Sequence, residues 1–245
     1  MRFSSVLSGS ILASALIASP VAAESSLTLQ QDGNGLSALI SQEGGGHQAT
    51  VSMFGEGHDA TLTQSGDGNS AVIDVGGSGN DSTVIQDGGG LSAELFQNGE
   101  SNSGSIEQFG SDQHARLDQS GGGNVGRIRQ DGGGNNAYLL QEGSDNYASI
   151  NQDSSGNSAT LNQTGDGSSA EIGQSGPGNS LTLNQGGGAV AMAIRQTGGA
   201  NASLTQTADG FVGSVGGESG TFEQSGGDFV PAGLLDVTVQ PGSGE

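Results

Sequence analysis

Glutamine is the residue whose spacing in this sequence is most regular, because it recurs every eleven residues along most of the chain. A primary amide donates and accepts hydrogen bonds, so amides held at one spacing can bond to one another in a row. Met53 and Val75 alone interrupt the column. The pattern predicts a ladder of stacked amides. Its expected members are Gln31, Gln42, Gln64, Gln86, Gln97, Gln108, Gln119, Gln130, Gln141, Gln152, Gln163, Gln174, Gln185 and Gln196.

Other groups that could do chemistry lack the spacing for it. His47, His58 and His114 fit neither a zinc site nor a catalytic triad, and the first two fall where most units have Asn. No nucleophile elbow or phosphate-binding loop occurs, and the chain has no Cys. We therefore expect no enzymatic activity, no metal centre and no cofactor.

Residues 76–81 read Gly-Gly-Ser-Gly-Asn-Asp and fit a calcium-binding repeat pattern, G-G-x-G-x-D. The motif occurs once, within a period of eleven residues instead of nine. A plain turn between two strands is the favoured interpretation.

Three further positions of the unit are nearly as regular as the glutamine. The second residue after it is Gly in almost every unit, with Ser154 as an exception. An Asn position predicts a second ladder, comprising Asn69, Asn80, Asn102, Asn124, Asn135, Asn146, Asn157, Asn179 and Asn201. An aliphatic position predicts the core, comprising Ile40, Leu62, Ile73, Leu95, Ile106, Leu117, Ile128, Leu139, Ile150, Leu161, Ile172, Leu183 and Ile194.

The unit reads as a β-strand. An eleven-residue period also suits a right-handed supercoil of helices, but each Gly would cost a helix about 1 kcal/mol. Asn, Ala, Ile or Leu, and Gln alternate at every second position, which places them on one face of a strand. The Gly then marks the bend, where positive φ carries little steric cost.

Strand length decides how many units close one coil. A seven-residue strand spans about 23 Å, whereas the four residues left reach at most ~14 Å, so one unit cannot return to its own start. We therefore expect an all-β, two-sheet β-solenoid of about eight 22-residue coils. In that register Met53 stacks on Val75, Glu94 faces Arg116, and Glu107 faces Arg129.

Composition restricts the partners of the protein. The formal net charge is −21, with no Lys, so the surface repels nucleic acid and anionic lipid. No segment of the repeat region is apolar over a membrane-spanning length, so we expect no membrane insertion.

The chain divides into three parts. Residues 1–23 resemble a secretory signal peptide, with Arg2, a short apolar run and a small-residue cleavage site before Glu24. Residues 24–206 form the predicted solenoid. Residues 207–245 are expected to form a degenerate terminal coil and a tail, with one last strand at residues 235–239.

Open strand edges at the two ends of the stack predict self-association. The repeat starts at Ser25, directly after the predicted cleavage site, so we expect no cap at this end. An uncapped edge with matching ladders is a template for another chain. The sequence therefore predicts a head-to-tail homopolymer, a cross-β fibre.

The unit resembles the curlin repeat, Ser-x5-Gln-x-Gly-x-x-Asn-x-Ala-x3-Gln. Ser25-x5-Gln31 matches its first half, and residues 130–141 and 141–152 match its second half. The resemblance covers residues 25–206. It implies a subunit of curli, the amyloid fibres of the bacterial biofilm matrix and cell surface, acting as major subunit or nucleator. It further implies ladders that stabilise the amyloid, export through the periplasm and an outer-membrane pore, and a nucleator subunit as partner.

A second interpretation is a monomeric surface-binding β-solenoid, such as an ice-binding or adhesin module. Outward Thr-x-Thr-like pairs occur at residues 50–52, 61–63, 160–162 and 182–184 and resemble arrays that order water. Charged residues and large apolar residues interrupt this face elsewhere.

Overall fold

The structure is a computed structural model that describes residues 2–8, 11–15, 25–207, 210–216 and 234–239. All regular secondary structure in these ranges is β-strand. The same ranges contain no helix long and apolar enough to cross a bilayer.

Within the described ranges, twenty-one strands form two sheets, and successive strands alternate between them until β20. Sheet A has eleven strands: β1 (Arg2–Ser8), β3 (Ser26–Asn34), β5 (Gln48–Glu56), β7 (Ser70–Ser78), β9 (Ser92–Glu100), β11 (His114–Gly122), β13 (Asn136–Ser144), β15 (Ser158–Thr164), β17 (Ser180–Gly186), β19 (Asn201–Thr207) and β20 (Gly210–Gly216). Sheet B has ten strands: β2 (Ile11–Ala15), β4 (Leu36–Gly45), β6 (Asp59–Asp67), β8 (Asp81–Gly89), β10 (Ser103–Ser111), β12 (Val125–Gly133), β14 (Tyr147–Asp153), β16 (Ser169–Ser175), β18 (Ala191–Thr197) and β21 (Leu234–Val239).

From β3 to β17 in sheet A and from β4 to β18 in sheet B, neighbouring strands are parallel and offset by one coil of 22 residues. Gln108 pairs with Gln130 in sheet B, and Gln119 pairs with Gln141 in sheet A. The turns stack in the same register, since Gly57 N–H donates to the Asn34 carbonyl at 2.9 Å. The predicted two-sheet β-solenoid of about eight 22-residue coils is confirmed.

The core is one side chain deep and lies between the two sheets. Alternate residues of each strand point inward, as in the pattern e-B-i-B-e-B-e of β14, where Ala148 and Ile150 are fully buried. All thirteen residues predicted for the aliphatic column are at most 2% exposed. Burying one such side chain contributes roughly 1.5–3 kcal/mol, so stacked aliphatic rows are the main stabilising term.

The turns between strands are called arcs here. They stack so closely that the regular spacing of Gly has a steric explanation. A Cβ on Gly110 would lie 2.0 Å from the carbonyl oxygen of Gly132 in the next coil. Both residues also have positive φ, of 116° and 115°. Ser154 occupies this column with φ of 91°, and from there the strands shorten from nine residues in β13 to seven in β14.

The N-terminal strands depart from the repeat register. Arg2 of β1 pairs with Ser26, and Ile11 of β2 pairs with Leu36, which are separations of 24 and 25 residues. These strands lie along the outer edges of β3 and β4. The signal peptide over residues 1–23 stays a prediction, as do the bounds of the three parts of the chain.

The C-terminal end closes with two irregular strands. Between β17 and β19 the offset falls to 21 residues, because the connecting arc is one residue shorter. The chain then reverses, and β20 pairs with β19 antiparallel. Strand β21 pairs with β18 in parallel, with Ala191 opposite Leu234. A last strand therefore lies where residues 235–239 were expected to form one.

Candidate functional site: the amide ladders

The glutamine column forms one continuous hydrogen-bonded ladder in sheet B. The side chain of Gln42 donates from Nε2 to Oε1 of Gln64 at 2.7 Å. The same bond repeats at 2.7–2.9 Å through eight residues, namely Gln42, Gln64, Gln86, Gln108, Gln130, Gln152, Gln174 and Gln196. Every donor therefore points toward the C-terminal end of the stack.

A shorter ladder with the same direction runs through sheet A. It comprises Gln97, Gln119, Gln141, Gln163, Gln185 and Gln206, joined at 2.8–3.0 Å. The eleven-residue period does not predict Gln206, which comes one residue early. The shortened arc compensates for the slip and brings Gln206 above Gln185. A glutamine displaced by one position was the signal for it in the sequence.

Most glutamines of the two ladders also donate a second hydrogen bond across the core. Nε2 of Gln141, in sheet A, donates to the Val125 carbonyl in sheet B at 3.1 Å, and Gln152 makes the equivalent bond to the Asn136 carbonyl at 3.0 Å. Both side chains are fully buried. The ladder thus ties the two sheets together, and every bond lost would leave a buried polar group unpaired at a cost of about 1–3 kcal/mol.

The first coils of sheet A lack the ladder. Met53 lies directly beneath Val75, as the register predicted, and both are fully buried. Gln31, opposite Met53, has no partner for either amide atom among the described residues. Gln31 therefore joins no ladder within the chain. Above the gap, Oε1 of Gln97 accepts a hydrogen bond from the Ser82 hydroxyl.

The asparagine column holds the arcs together through the backbone as well as through side chains. Oδ1 of Asn102 accepts the backbone N–H of Asn124 and also its Nδ2, both at 3.1 Å. Nδ2 of Asn124 further donates to the carbonyls of Ser120, at 3.2 Å, and Gly143, at 2.9 Å. The amide-to-amide bonds of this column run toward the N-terminal end, opposite to those of the glutamine ladders, whereas the bond from Nδ2 to the Gly143 carbonyl runs toward the C-terminal end. The sequence did not predict either the backbone bonds or the opposed directions.

Most of the predicted asparagine column is buried in place, with one exception. Eight members are at most 1% exposed: Asn69, Asn80, Asn102, Asn124, Asn135, Asn146, Asn157 and Asn179. The assignment of Asn201 is wrong, because its side chain is exposed. The one-residue slip places Ala200 in the column instead, where its N–H donates to Oδ1 of Asn179 at 3.1 Å. Leu91 and Gln113 also occupy column positions and are buried.

An ion-pair cluster lies on the outer face of sheet A. Arg116 contacts Glu94 at 3.0 Å, the pairing expected from the register, and Asp118 at 2.9 Å. Its guanidinium also lies 4.7 Å from the ring centroid of Phe96. The hydrogen bond that Arg116 donates to Asp118 raises the pKa of Arg116. Burial, followed by the charge and hydrogen bond of Asp118, raises the pKa of Tyr138 above its usual 10.0.

A second cluster lies on sheet B, where Arg129 contacts Glu107 at 3.2 Å, again as the register predicted. Arg127 contacts the other oxygen of Glu107 at 3.4 Å. Such exposed pairs contribute at most about 1 kcal/mol each. They support the register of the sheets.

The segment over residues 76–81 is an arc like its neighbours. Nδ2 of Asn80 donates to the carbonyls of Gly76 and Gly99, at 2.9 and 3.1 Å, so the amide serves the column. Asp81 points to solvent. Among the described residues no group of three or more potential ligands is placed to hold a metal ion.

Comparison with known proteins agrees with this geometry. The family model described as the curlin associated repeat matches residues 23–55, 55–88, 91–121, 123–153 and 155–187, well over half of the chain. No curated protein and no solved structure gave a match. The coil after residue 187 lies beyond the matched ranges but continues the ladders. A β-solenoid of curlin repeats is structural in kind, and the chain belongs to the curlin associated repeat family.

Proposed function

We propose that the chain is a secreted structural protein that assembles head-to-tail into curli-like amyloid fibres at a bacterial surface or in a biofilm matrix. The observation that carries this proposal is the set of unsatisfied amides in the first coil. Both amide atoms of Gln31, and Oε1 of Gln42, are buried and have no partner among the described residues. In the structure β1 and β2 pair along this end. After removal of residues 1–23 these amides would lie at an open strand edge, where a second copy could supply their missing partners.

The ladder polarity makes the two ends of the stack complementary. Glutamine donors point toward the C-terminal end, whereas Oε1 of Gln42 is an acceptor at the N-terminal end. The asparagine column has the opposite polarity, since Nδ2 of Asn102 donates back to Asn80 at 3.2 Å. Head-to-tail stacking would therefore match donors to acceptors in the glutamine column, while head-to-head stacking would oppose like groups. The asparagine column offers no amide at either end, where Ser25, Leu36, Val190 and Ala200 occupy its positions. Strands β20 and β21 pair over Gln206 and Gln196, so they must open before these glutamines can meet a second copy.

The strand edges support the same assembly. Removal of residues 1–23 would leave β3 and β4 as the outer strands at one end, and β20 and β21 are outermost at the other. Unpaired edges of this kind recruit further strands at about 4.7–4.8 Å per layer, the cross-β repeat. The net charge of −21 opposes side-by-side contact and favours growth along the stack axis.

Fibre growth tests the proposal directly. We expect a chain starting at Glu24 to form fibres with a lag phase, thioflavin fluorescence and a 4.7–4.8 Å meridional reflection. A chain ending at residue 206 tests whether residues 207–245 regulate one end. A folded monomer that gives no such reflection would overturn the proposal.

The role of the ladder is tested by replacing Gln141, Gln152 and Gln163 together with Ala. We expect markedly slower assembly, because neighbouring buried amides lose their partners. The matched control is Asn151→Ala, which removes an exposed amide from β14. Unchanged growth kinetics in the triple variant would exclude the ladder as the driving element.

The structure gives less support to a monomeric ice-binding or adhesin module. The pairs at residues 50–52, 160–162 and 182–184 lie on sheet A, whereas the pair at residues 61–63 lies on sheet B. The hydroxyl-rich surface is therefore divided between opposite faces. Export through a curlin-type pore, and assembly from a nucleator subunit, belong to the proposal on the strength of the family alone.

A further inference from the structure

Two buried histidines replace asparagine near the N-terminal end of the stack. His47 lies beneath Asn69, and His58 lies beneath Asn80, each in its own column. Both rings are fully buried. The other residues of the asparagine column have uncharged side chains. His47 and His58 are therefore its two members with a titratable group.

Each ring reproduces the hydrogen bonds of an asparagine amide. Nδ1 of His47 accepts the backbone N–H of Asn69 at 3.3 Å, as Oδ1 does elsewhere in the column. Its Nε2 lies 3.0 Å from the Glu43 carbonyl, four residues back, as Nδ2 of Asn69 lies 2.8 Å from the Ser65 carbonyl. A carbonyl only accepts and a backbone N–H only donates, so this geometry requires the neutral ring with its proton on Nε2.

His58 shows the same geometry independently. Its Nδ1 accepts the Asn80 N–H at 3.1 Å, and its Nε2 donates to the Phe54 carbonyl at 3.2 Å. The asparagine positions form two columns, one along each lateral edge of the solenoid, and His47 and His58 lie in different columns. Protonation of either ring would put a second N–H at Nδ1, facing the backbone donor that it now satisfies.

We propose that His47 and His58 make the N-terminal coils acid-labile, because each ring completes the hydrogen bonds of the asparagine column only while it is neutral. The opened coil takes up the second proton without losing a hydrogen bond, so it binds more protons than the closed coil. The stability of these coils therefore falls as pH falls. Imidazole titrates near pH ~6.5 in water, which places the response in the mildly acidic range.

The charged groups around both rings are carboxylates. Residues 25–90 contain no Arg or Lys, and the acidic side chains on the neighbouring strands and arcs are Asp32, Glu43, Glu56, Asp59, Asp67, Asp74, Asp81 and Asp87. In the described part of the structure none of them forms an ion pair with either ring.

The location of these rungs links acidity to one end of the stack. The same coils contain the Met53–Val75 gap in the sheet A ladder and the unpartnered amide of Gln31. Loss of the hydrogen bonds made by His47 and His58 should therefore open the N-terminal end of the stack before its middle.

Hydrogen exchange of the folded full chain tests the proposal, whether the chain is soluble or fibrous, so the result does not depend on assembly. Between about pH 7.5 and about pH 5, after correction for intrinsic exchange rates, we expect protection of the Asn69 and Asn80 amides to fall on the order of tenfold. The amides of Asn124 and Asn146 are internal references, because their acceptors are asparagines.

Variants decide whether the histidines are responsible. His47→Asn should abolish the response at Asn69 alone, and His58→Asn should abolish it at Asn80 alone, since Asn restores the acceptor that most of the column uses. His114→Asn, at an exposed position, should leave both responses unchanged. Acid sensitivity that persists in the double variant, or protection that is constant with pH in the unmodified chain, would overturn the proposal.

Discussion

The hydroxyl of Ser82 donates a hydrogen bond to Oε1 of Gln97 across the core of the solenoid. Every later glutamine in the sheet A ladder receives this bond from the glutamine one coil before it, but the residue one coil before Gln97 in the column is Val75. Ser82 is fully buried, in a position where most units have Ala. The Ser82 hydroxyl therefore ends the sheet A ladder and supplies Oε1 of Gln97 with the donor that Val75 cannot provide.

Replacing Ser82 by Ala should destabilise the folded chain by about 1–3 kcal/mol, because Oε1 of Gln97 becomes a buried acceptor without a donor. Denaturant unfolding measures the change. In a Met53→Gln, Val75→Gln background the amides would run unbroken from Gln31 to Gln97, and the same Ser82→Ala change should then cost little. Equal costs in the two backgrounds would show that the serine does not serve the ladder.

Ser154→Gly should stabilise the chain by about 1–2 kcal/mol. Ser154 has φ of 91° in a column otherwise occupied by Gly, and a left-handed conformation strains a residue with a Cβ. Thermal or denaturant unfolding gives the measurement. The matched opposite change is Gly132→Ala, whose new Cβ would lie 2.2 Å from the Ser154 carbonyl oxygen. This variant should lose stability, and a loss in both variants would contradict the steric explanation.

Gln113→Asn should also stabilise the chain, by about 1 kcal/mol. Gln113 is buried in the asparagine column, and its Oε1 has no partner among the described residues. The shorter side chain would place its oxygen where Asn102 accepts the N–H of Asn124 in the neighbouring column. Increased protection of the Asn135 amide in hydrogen exchange would check the geometry. Unchanged protection there would show that the added oxygen does not reach this donor.

Tyr138 should titrate above its ordinary pKa of 10.0, because burial and the nearby Asp118 both disfavour the phenolate. The phenol donates to Oδ2 of Asp118 at 3.1 Å. A pKa raised on folding stabilises the protein below about pH 10, and this contribution is lost as pH rises through the higher value.

Ultraviolet titration in a Tyr147→Phe background follows Tyr138 alone, since the chain has two tyrosines. Asp118→Asn should lower the pKa only partway toward 10.0, because burial is the larger cause. An unchanged midpoint would remove Asp118 from the explanation.

The eleven-residue period was sufficient to predict the strands, the aliphatic core and the two-unit coil. The strands follow from alternation at every second residue, and the coil follows from the length that four residues can span. The pairs Glu94–Arg116 and Glu107–Arg129 could be read from the sequence for the same reason, since one register fixes every contact between adjacent coils.

The period could not predict what a single insertion or deletion does to it. Counting by eleven assigned Asn201 to the column and left Gln206 out, whereas the short arc does the reverse. The sheet absorbs the missing residue in an arc, because a shift within a strand would move all its inward side chains to solvent.

The sequence by itself determined which residue types stack, because strict periodicity in a solenoid places identical residues one above another. Only the tertiary structure decided the direction of donation in each ladder, the bonds from glutamine to the opposite sheet, and the substitution of Ser82 for a missing amide. These depend on distances across the core, from Ser82 in β8 to Gln97 in β9, which no spacing along one strand contains. The physical reason is that a hydrogen bond requires a donor and an acceptor about 3 Å apart, and two sheets must pack before that distance exists.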